Sequence, residues 1–347
     1  MSDKSQIEWT DATWNPVRGC EKVSPGCAHC YAETFAERFR GVTGHPYEQG
    51  FDLRLVPEKL EKPLNWKQPR RVFVNSMSDL FHEAVPDNFI DRVFAVMALC
   101  PQHTFQVLTK RAARMRAYFE SKTEEPRNGH IHELDLRERI DDAAGEFGAC
   151  HANLDTSDRW PLPNVWLGVS VENQHFADER IPLLLQTPAA VRFISAEPLL
   201  GSIDLWNLRG GTFDALTGCG DQERLTVWED TPRLDWVIVG GESGPGARAC
   251  QPHWIRSIVR RCRAARVPVF VKQLGSRIID RNDAGFEGDT PRSWPMDTDV
   301  ENHPNGYREE YQGAPVRVRL RDRKGGTMEE WPEDLRVREF PRALVSA

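Results

Sequence analysis

DWVIVGG, Asp235 to Gly241, decides how this chain folds. Four apolar residues run without interruption into a glycine pair. A strand with one wet face alternates apolar and polar residues, whereas a strand covered on both faces reads as a continuous apolar run. The same reading holds outward along the chain, for RVFVN (Arg71 to Asn75), TFQVLTK (Thr104 to Lys110), NVWLGVS (Asn164 to Ser170), VRFISAE (Val191 to Glu197) and PVFVKQ (Pro268 to Gln273). A further strand near Ala12 to Val17 makes seven, although that segment contains Pro16.

Helical patterns lie between these runs. Tyr31, Phe35 and Phe39 recur four apart ahead of Gly41, a C-cap glycine. Pro86 opens a segment with Phe89, Val93 and Met97 on one face, and Pro252 opens another with Ile255, Ile258, Val259 and Cys262 facing in. Strands and helices in alternation predict an α/β fold, a partial or complete parallel (βα) barrel. The barrel is expected over residues 1–275, with insertions at about 120–163 and 206–233 where the rhythm breaks. Residues 276–347 read as a C-terminal extension or cap, with short strand-like pieces such as Ala314 to Leu320.

With 52 Asp and Glu against 45 Lys and Arg, the net charge is -7, so a general polyanion-binding field is not expected. The start, MSDKSQIEWTDATWNP, has no apolar secretory core, and no run is apolar and long enough to span a membrane. The expected compartment is the cytoplasm, where thiols stay reduced and no membrane partner is needed. Of eight cysteines, Cys100, Cys150, Cys219, Cys250 and Cys262 are scattered and read as small buried hydrophobes.

The other three, Cys20, Cys27 and Cys30, crowd into GCEKVSPGCAHCYAE with six and then two residues between them. An odd number of thiols on one Gly/Pro loop suits a metal or an iron–sulfur cluster better than a disulfide. Three readings stand open. A 4Fe-4S cluster on three thiolates leaves one coordination position free for chemistry. A structural zinc needs a fourth ligand, and His29 is badly placed beside Cys30. Unligated thiols would need a core segment, which Pro25, Gly26 and His29 make poorly.

The motif W-N-P-V-R-G-C-x6-C-x2-C-Y-A, Trp14 to Ala32, resembles the phage-associated three-Cys-motif family of unknown function, DUF5131, which is itself similar to radical S-adenosylmethionine (SAM) enzymes. The resemblance continues through NSMSDLF (Asn75 to Phe81), VLTKR (Val107 to Arg111), GVSVE (Gly168 to Glu172), SAEPLLG (Ser195 to Gly201) and GGESG (Gly240 to Gly244). It implies a TIM-like barrel of the radical-SAM type and a 4Fe-4S cluster with one iron on each of Cys20, Cys27 and Cys30. It also implies SAM on the fourth iron, reductive cleavage of SAM to start radical chemistry, and an electron donor such as flavodoxin or ferredoxin. The radical-SAM spacing is Cys-x3-Cys-x2-Cys with an aromatic before the last Cys; here the first gap is six and His29 holds the aromatic position.

In a parallel barrel, functional groups belong at the C-terminal ends of the strands. The resemblance puts SAM contacts at Asn75, Ser76, Ser78 and Asp79 after the second strand, where Ser78 or Asp79 can equally cap a turn or helix. Ser170 and Glu197 end the fourth and fifth strands, and Gly240 and Gly241 offer backbone amides to a ligand after the sixth. Lys110, Glu172, Glu242 and Lys272 are the candidates for catalysis, each with an ordinary helix-end or ion-pair role as the alternative. The substrate is not legible. Two basic sets, Arg256, Arg260, Arg261, Arg263 and Arg266, and Lys110, Arg111, Arg114 and Arg116, suit the phosphates of a nucleic acid or a solvated helix face. The insertions suit a partner protein. The other function class is a zinc-stabilised, non-catalytic barrel or nucleic-acid-binding module.

Overall fold

The computed structural model describes residues 5–127, 130–148, 160–211, 213–218, 232–281, 299–301 and 315–342. Two compact units are present, one built on Met1–Val169 with Arg180–Arg192, the other on Ser170–Glu179 with Phe193–Ala343.

In the first unit, β1 (Ala12–Trp14), β2 (Arg71–Val74), β3 (Thr104–Thr109) and β4 (Val165–Ser170) lie side by side in chain order, all parallel. Trp14 stands opposite Val74, Val74 opposite Val107, and Thr109 opposite Val169. In the second unit, β5 (Val191–Ala196), β6 (Trp236–Gly240) and β7 (Val269–Gln273) repeat the arrangement. Within each unit every strand is added beside the preceding one, which is the winding of a (βα) barrel; a doubly wound sheet reverses its order. The expected α/β class and all seven strands are therefore present. Every residue of β4 and β6 is buried, as their continuous apolar runs require. β1 ends earlier than expected. Val17–Arg18 leave it beyond Pro16 and pair antiparallel with Arg54–Leu55.

The helices are α1 (Tyr31–Glu37), α2 (Asp87–Ala98), α3 (Ala112–Glu120), α4 (Leu136–Gly145), α5 (Gln174–Leu185) and α6 (Pro252–Ala265). α2 buries Phe89, Val93 and Met97, and α6 buries Ile255, Ile258, Val259 and Cys262, as their spacing dictates. α1 departs from its pattern. It stops before Phe39 and Gly41, and it buries Ala32 and Ala36 while Tyr31 and Phe35 remain 61% and 43% exposed.

The first insertion is more ordered than its mixed composition suggests. Thr123–Arg127 pairs with His130–Leu134, and α4 follows. Its start carries a capping box in which Asp135 and Glu138 satisfy each other's backbone amides, and Leu136, Ile140, Ala143 and Ala144 form its buried face. Arg139 of α4 reaches Asp91 of α2 at 3.1 Å, and the Tyr118 hydroxyl of α3 donates to the same carboxylate oxygen at 2.8 Å. Residues 149–159 and 219–231 of the two expected insertions lie outside the described residues.

The C-terminal part belongs to the second unit. Pro315–Arg319 is the middle strand of a small antiparallel sheet with Ile278–Arg281 and Asp299–Glu301. The chain then runs along β7, with the Val271 amide donating to the Val337 carbonyl and the Glu339 amide to that of Val269. Arg338 lies over the rings of Phe270 and Trp331, and Trp236 Nε1 donates to the Glu339 carbonyl. This segment covers a strand edge that would otherwise present unpaired backbone groups. Cys100, Cys250 and Cys262 are buried, and burial pushes each thiol up to about 12. Cys150 and Cys219 lie outside the described residues.

Candidate functional site

The cysteine loop begins at Gly19, which is confined to glycine on two counts. Its φ is +78°, and a Cβ there would stand 2.2 Å from the Asp52 carbonyl oxygen. From this point the loop is laced to the chain beyond β2. The Gly19 amide donates to the Met77 carbonyl, the Ser78 hydroxyl to the Val17 carbonyl at 2.8 Å, and the Tyr31 hydroxyl to the Ser76 carbonyl. Asn15 Oδ1 accepts from the Ser76 hydroxyl at 3.2 Å and the Met77 amide at 3.0 Å. Asn75 takes a left-handed conformation at φ 60° and accepts from the Val17 amide. Its Nδ2 is buried with no hydrogen-bond partner among the described residues. An orphaned buried donor of this kind fits a site that a bound molecule completes.

Cys20, Cys27 and Cys30 are free and partly exposed. Cys27 closes a short 3-10 turn, Pro25–Cys27, and Cys30 caps α1. Cys27 lies within electrostatic range of both other thiols. Burial pushes the Cys20 thiol up and the Asp79 carboxylate adds to the effect, while Arg111 opposes it. Burial also pushes Cys30 up, against the amides of Glu33 and Ala32. Among the described residues, no three His, Cys, Asp or Glu side chains converge as a single bound ion requires. In donor chemistry the trio fits a multi-iron cluster, which takes one thiolate per iron.

Asp79 knits the β2 and β3 ends together. Its Oδ1 accepts from the Thr109 hydroxyl at 2.7 Å and the Phe81 amide, and its Oδ2 from the Lys110 amide at 3.0 Å and from Arg111 Nη1. Arg111 also donates through Nη1 to Cys20 Sγ at 3.4 Å, through Nη2 to the Glu21 carbonyl, and through Nε to Glu83 at 2.7 Å. From sequence Arg111 was only one member of a basic strip. Its place in VLTKR, and those of Asn15 and Gly19 in WNPVRGC, are the signals that pointed here.

The remaining predicted residues gather in the second unit. Glu197 pairs with Lys272 at 2.7 Å and accepts from Gln273. Ser170 donates to the Glu197 carbonyl, and Glu172 is fully buried. Arg248 holds Glu242 in a fork, Nη2 to Oε1 at 2.6 Å and Nε to Oε2 at 3.0 Å. Gly241 lets β6 run against the next strand's end, since a Cβ there would meet the Leu274 carbonyl oxygen at 2.2 Å; at Gly240 the nearest atom is the Gln273 carbonyl oxygen at 3.1 Å. The basic sets are largely paired within the protein: Arg256 with Asp334, Arg261 with Asp204, Arg114 with Asp87, Arg116 with Glu120.

A parallel α/β chain with a three-cysteine loop stitched to its strand ends is the class that fold and site define. The chain belongs to the family described as "Protein of unknown function (DUF5131)", whose model matches residues 4–324. No curated protein and no solved structure matches it. Among the described residues no helix is long and apolar enough to cross a membrane.

Proposed function

We propose that this chain is a radical-SAM-type enzyme of the reducing cytoplasm that holds a 4Fe-4S cluster on Cys20, Cys27 and Cys30. The observation that carries the reading is the loop itself: three free, partly buried thiols on one segment, hydrogen-bonded to the backbone beyond β2 and faced by a buried guanidinium. When bound, such a cluster supplies one electron to the sulfonium of SAM, drawn from a flavodoxin- or ferredoxin-like donor. Arg111 places positive charge beside Cys20 and favours its thiolate. Asp79 fixes Arg111 and the start of α3, and the Asn75 amide offers a buried donor to a polar cosubstrate group. The family's motifs also extend over the strand ends, in keeping with a barrel of the radical-SAM type.

Anaerobic reconstitution with iron and sulfide, followed by a 5′-deoxyadenosine assay with dithionite and SAM, tests this. Wild type should bind iron and sulfide and form product, and a triple Cys20/Cys27/Cys30→Ala variant should do neither. No iron or sulfide uptake sinks the cluster. A verified cluster without SAM cleavage sinks the SAM assignment alone. One zinc per chain, without visible absorbance, favours the structural alternative.

A further inference from the structure

α1 turns its aromatic side chains outward beside a pocket of about 420 Å³, within the size range of small-molecule sites. Asn15, Ser76 and Met77 line it together with Tyr31, Phe35 and Tyr47. Phe35 and Tyr47 meet edge to face, centroids 5.5 Å apart, and Arg18 lies over the Tyr47 ring at 5.1 Å. No Lys, Arg, Asp or Glu lines the pocket.

Two observations define the occupant. The exposed rings of Tyr31 and Phe35 offer surfaces on which a flat ring stacks. Asn15 is only 6% exposed, and both hydrogen bonds it makes among the described residues are accepted by Oδ1. Its Nδ2 makes no hydrogen bond among the described residues, and Asn15 is one of the residues that line the pocket. A phenyl ring would seal that amide unsatisfied, at a cost in affinity, whereas a ring edge carrying an acceptor nitrogen or oxygen would satisfy it. His45 also lines the pocket and Arg18 lies behind Tyr47, with its Nη1 held by the Pro46 carbonyl, so no lysine or arginine of the wall itself is offered to a phosphate.

We propose that this pocket binds a nucleobase, stacked on Tyr31 and Phe35 with a ring acceptor on Asn15 Nδ2. The proposal does not depend on the cluster, because every group it uses belongs to the polypeptide.

Calorimetric titration of the full chain with adenosine, guanosine, cytidine and uridine tests it, with 5′-monophosphates and p-cresol as comparisons. At least one nucleoside should bind, its monophosphate no more tightly, and p-cresol more weakly. Phe35→Ala should weaken nucleoside binding about tenfold. Phe35 is exposed, so its loss leaves the fold intact. Asn15→Ala should do the same where its melting temperature matches wild type. The proposal is overturned by no nucleoside binding at millimolar concentration, by an unchanged affinity in Phe35→Ala, or by tighter binding of p-cresol, which would mark an aromatic peptide side chain as the occupant. Displacement of the nucleoside by SAM from reconstituted protein would give the pocket to the cosubstrate and overturn it too. Failure of the cluster would leave the titration unaffected.

Discussion

Arg111 Nη1 stands 3.4 Å from the thiol of Cys20 and 3.4 Å from Asp79 Oδ2. One buried guanidinium thus joins the cysteine loop to the ends of β2 and β3.

Breaking a buried pair leaves an uncompensated charge, so Arg111→Met should lower stability by about 3–5 kcal/mol in urea unfolding. The Arg111–Glu83 contact adds little to this, because Glu83 is mostly solvent-exposed. Arg111→Lys should recover only a small part, since one ammonium cannot span Cys20, Asp79, Glu83 and the Glu21 carbonyl together. A wild-type unfolding midpoint for Arg111→Met would show that the pairing is energetically idle.

The two classes of thiol should separate chemically. Cys100, Cys250 and Cys262 are buried, with thiols raised to about 12, so they carry almost no thiolate at neutral pH. Iodoacetamide on iron-free native protein, read by mass spectrometry, should label Cys20, Cys27 and Cys30 before Cys100, Cys250 and Cys262, which should react only in denaturant. Labelling of Cys250 at the rate of Cys27 would contradict the burial. Under the proposed function, loading with iron and sulfide should slow the trio alone.

The sequence declared its strands because burial on both faces leaves a continuous apolar run, and Trp236–Gly240 is buried throughout. It declared α6 because one face packs inward, and α2 through the four-residue spacing of Phe89, Val93 and Met97, although α2 is buried on other sides as well. It misled at α1, where the aromatic spacing is helical but the face is turned outward, since periodicity reports a helix and not its direction. It was quiet over α4, whose capping box is a local signal within a polar stretch. In the site, the cysteines were legible from spacing alone. Arg111 was not, because nothing local distinguishes a guanidinium that closes on a thiol 91 residues away from one that faces water.

The α2–α4 junction has a buried carboxylate, Asp91, besides the more exposed Arg92–Glu146 pair. Asp91 accepts from Tyr118 and Arg139, and burial is the main cause that raises its carboxyl above the ordinary value. Asp91→Ala strands Arg139 and should cost about 3–5 kcal/mol, whereas Tyr118→Phe should cost about 1 kcal/mol. Hydrogen exchange should show α4 amides opening faster in Asp91→Ala than those of β3. Equal protection of α4 in variant and wild type would mean that its apolar face alone docks it.

The start of the described chain is pinned differently, by an exposed pair with an acid-dependent signature. Asp11 takes Arg71 through both oxygens, Nη2 to Oδ1 at 2.9 Å and the Arg71 backbone amide to Oδ2 at 2.8 Å. The hydrogen bond from the Arg71 side chain is the main cause that holds the Asp11 carboxyl below its unfolded value of 3.8. The folded state therefore binds the proton less readily than the unfolded state, and stability rises with pH across that window. The contribution is fully present above pH 3.8 and is lost as pH falls through the lower, folded value. Melting temperatures of wild type and Asp11→Asn should differ by a small, constant gap at neutral pH that closes below pH 3.8. Solvent exposure keeps the gap small, and added salt should narrow it further. A gap as wide at pH 3 as at pH 7 would show that Asp11 acts through its neutral hydrogen bonds and not through its charge.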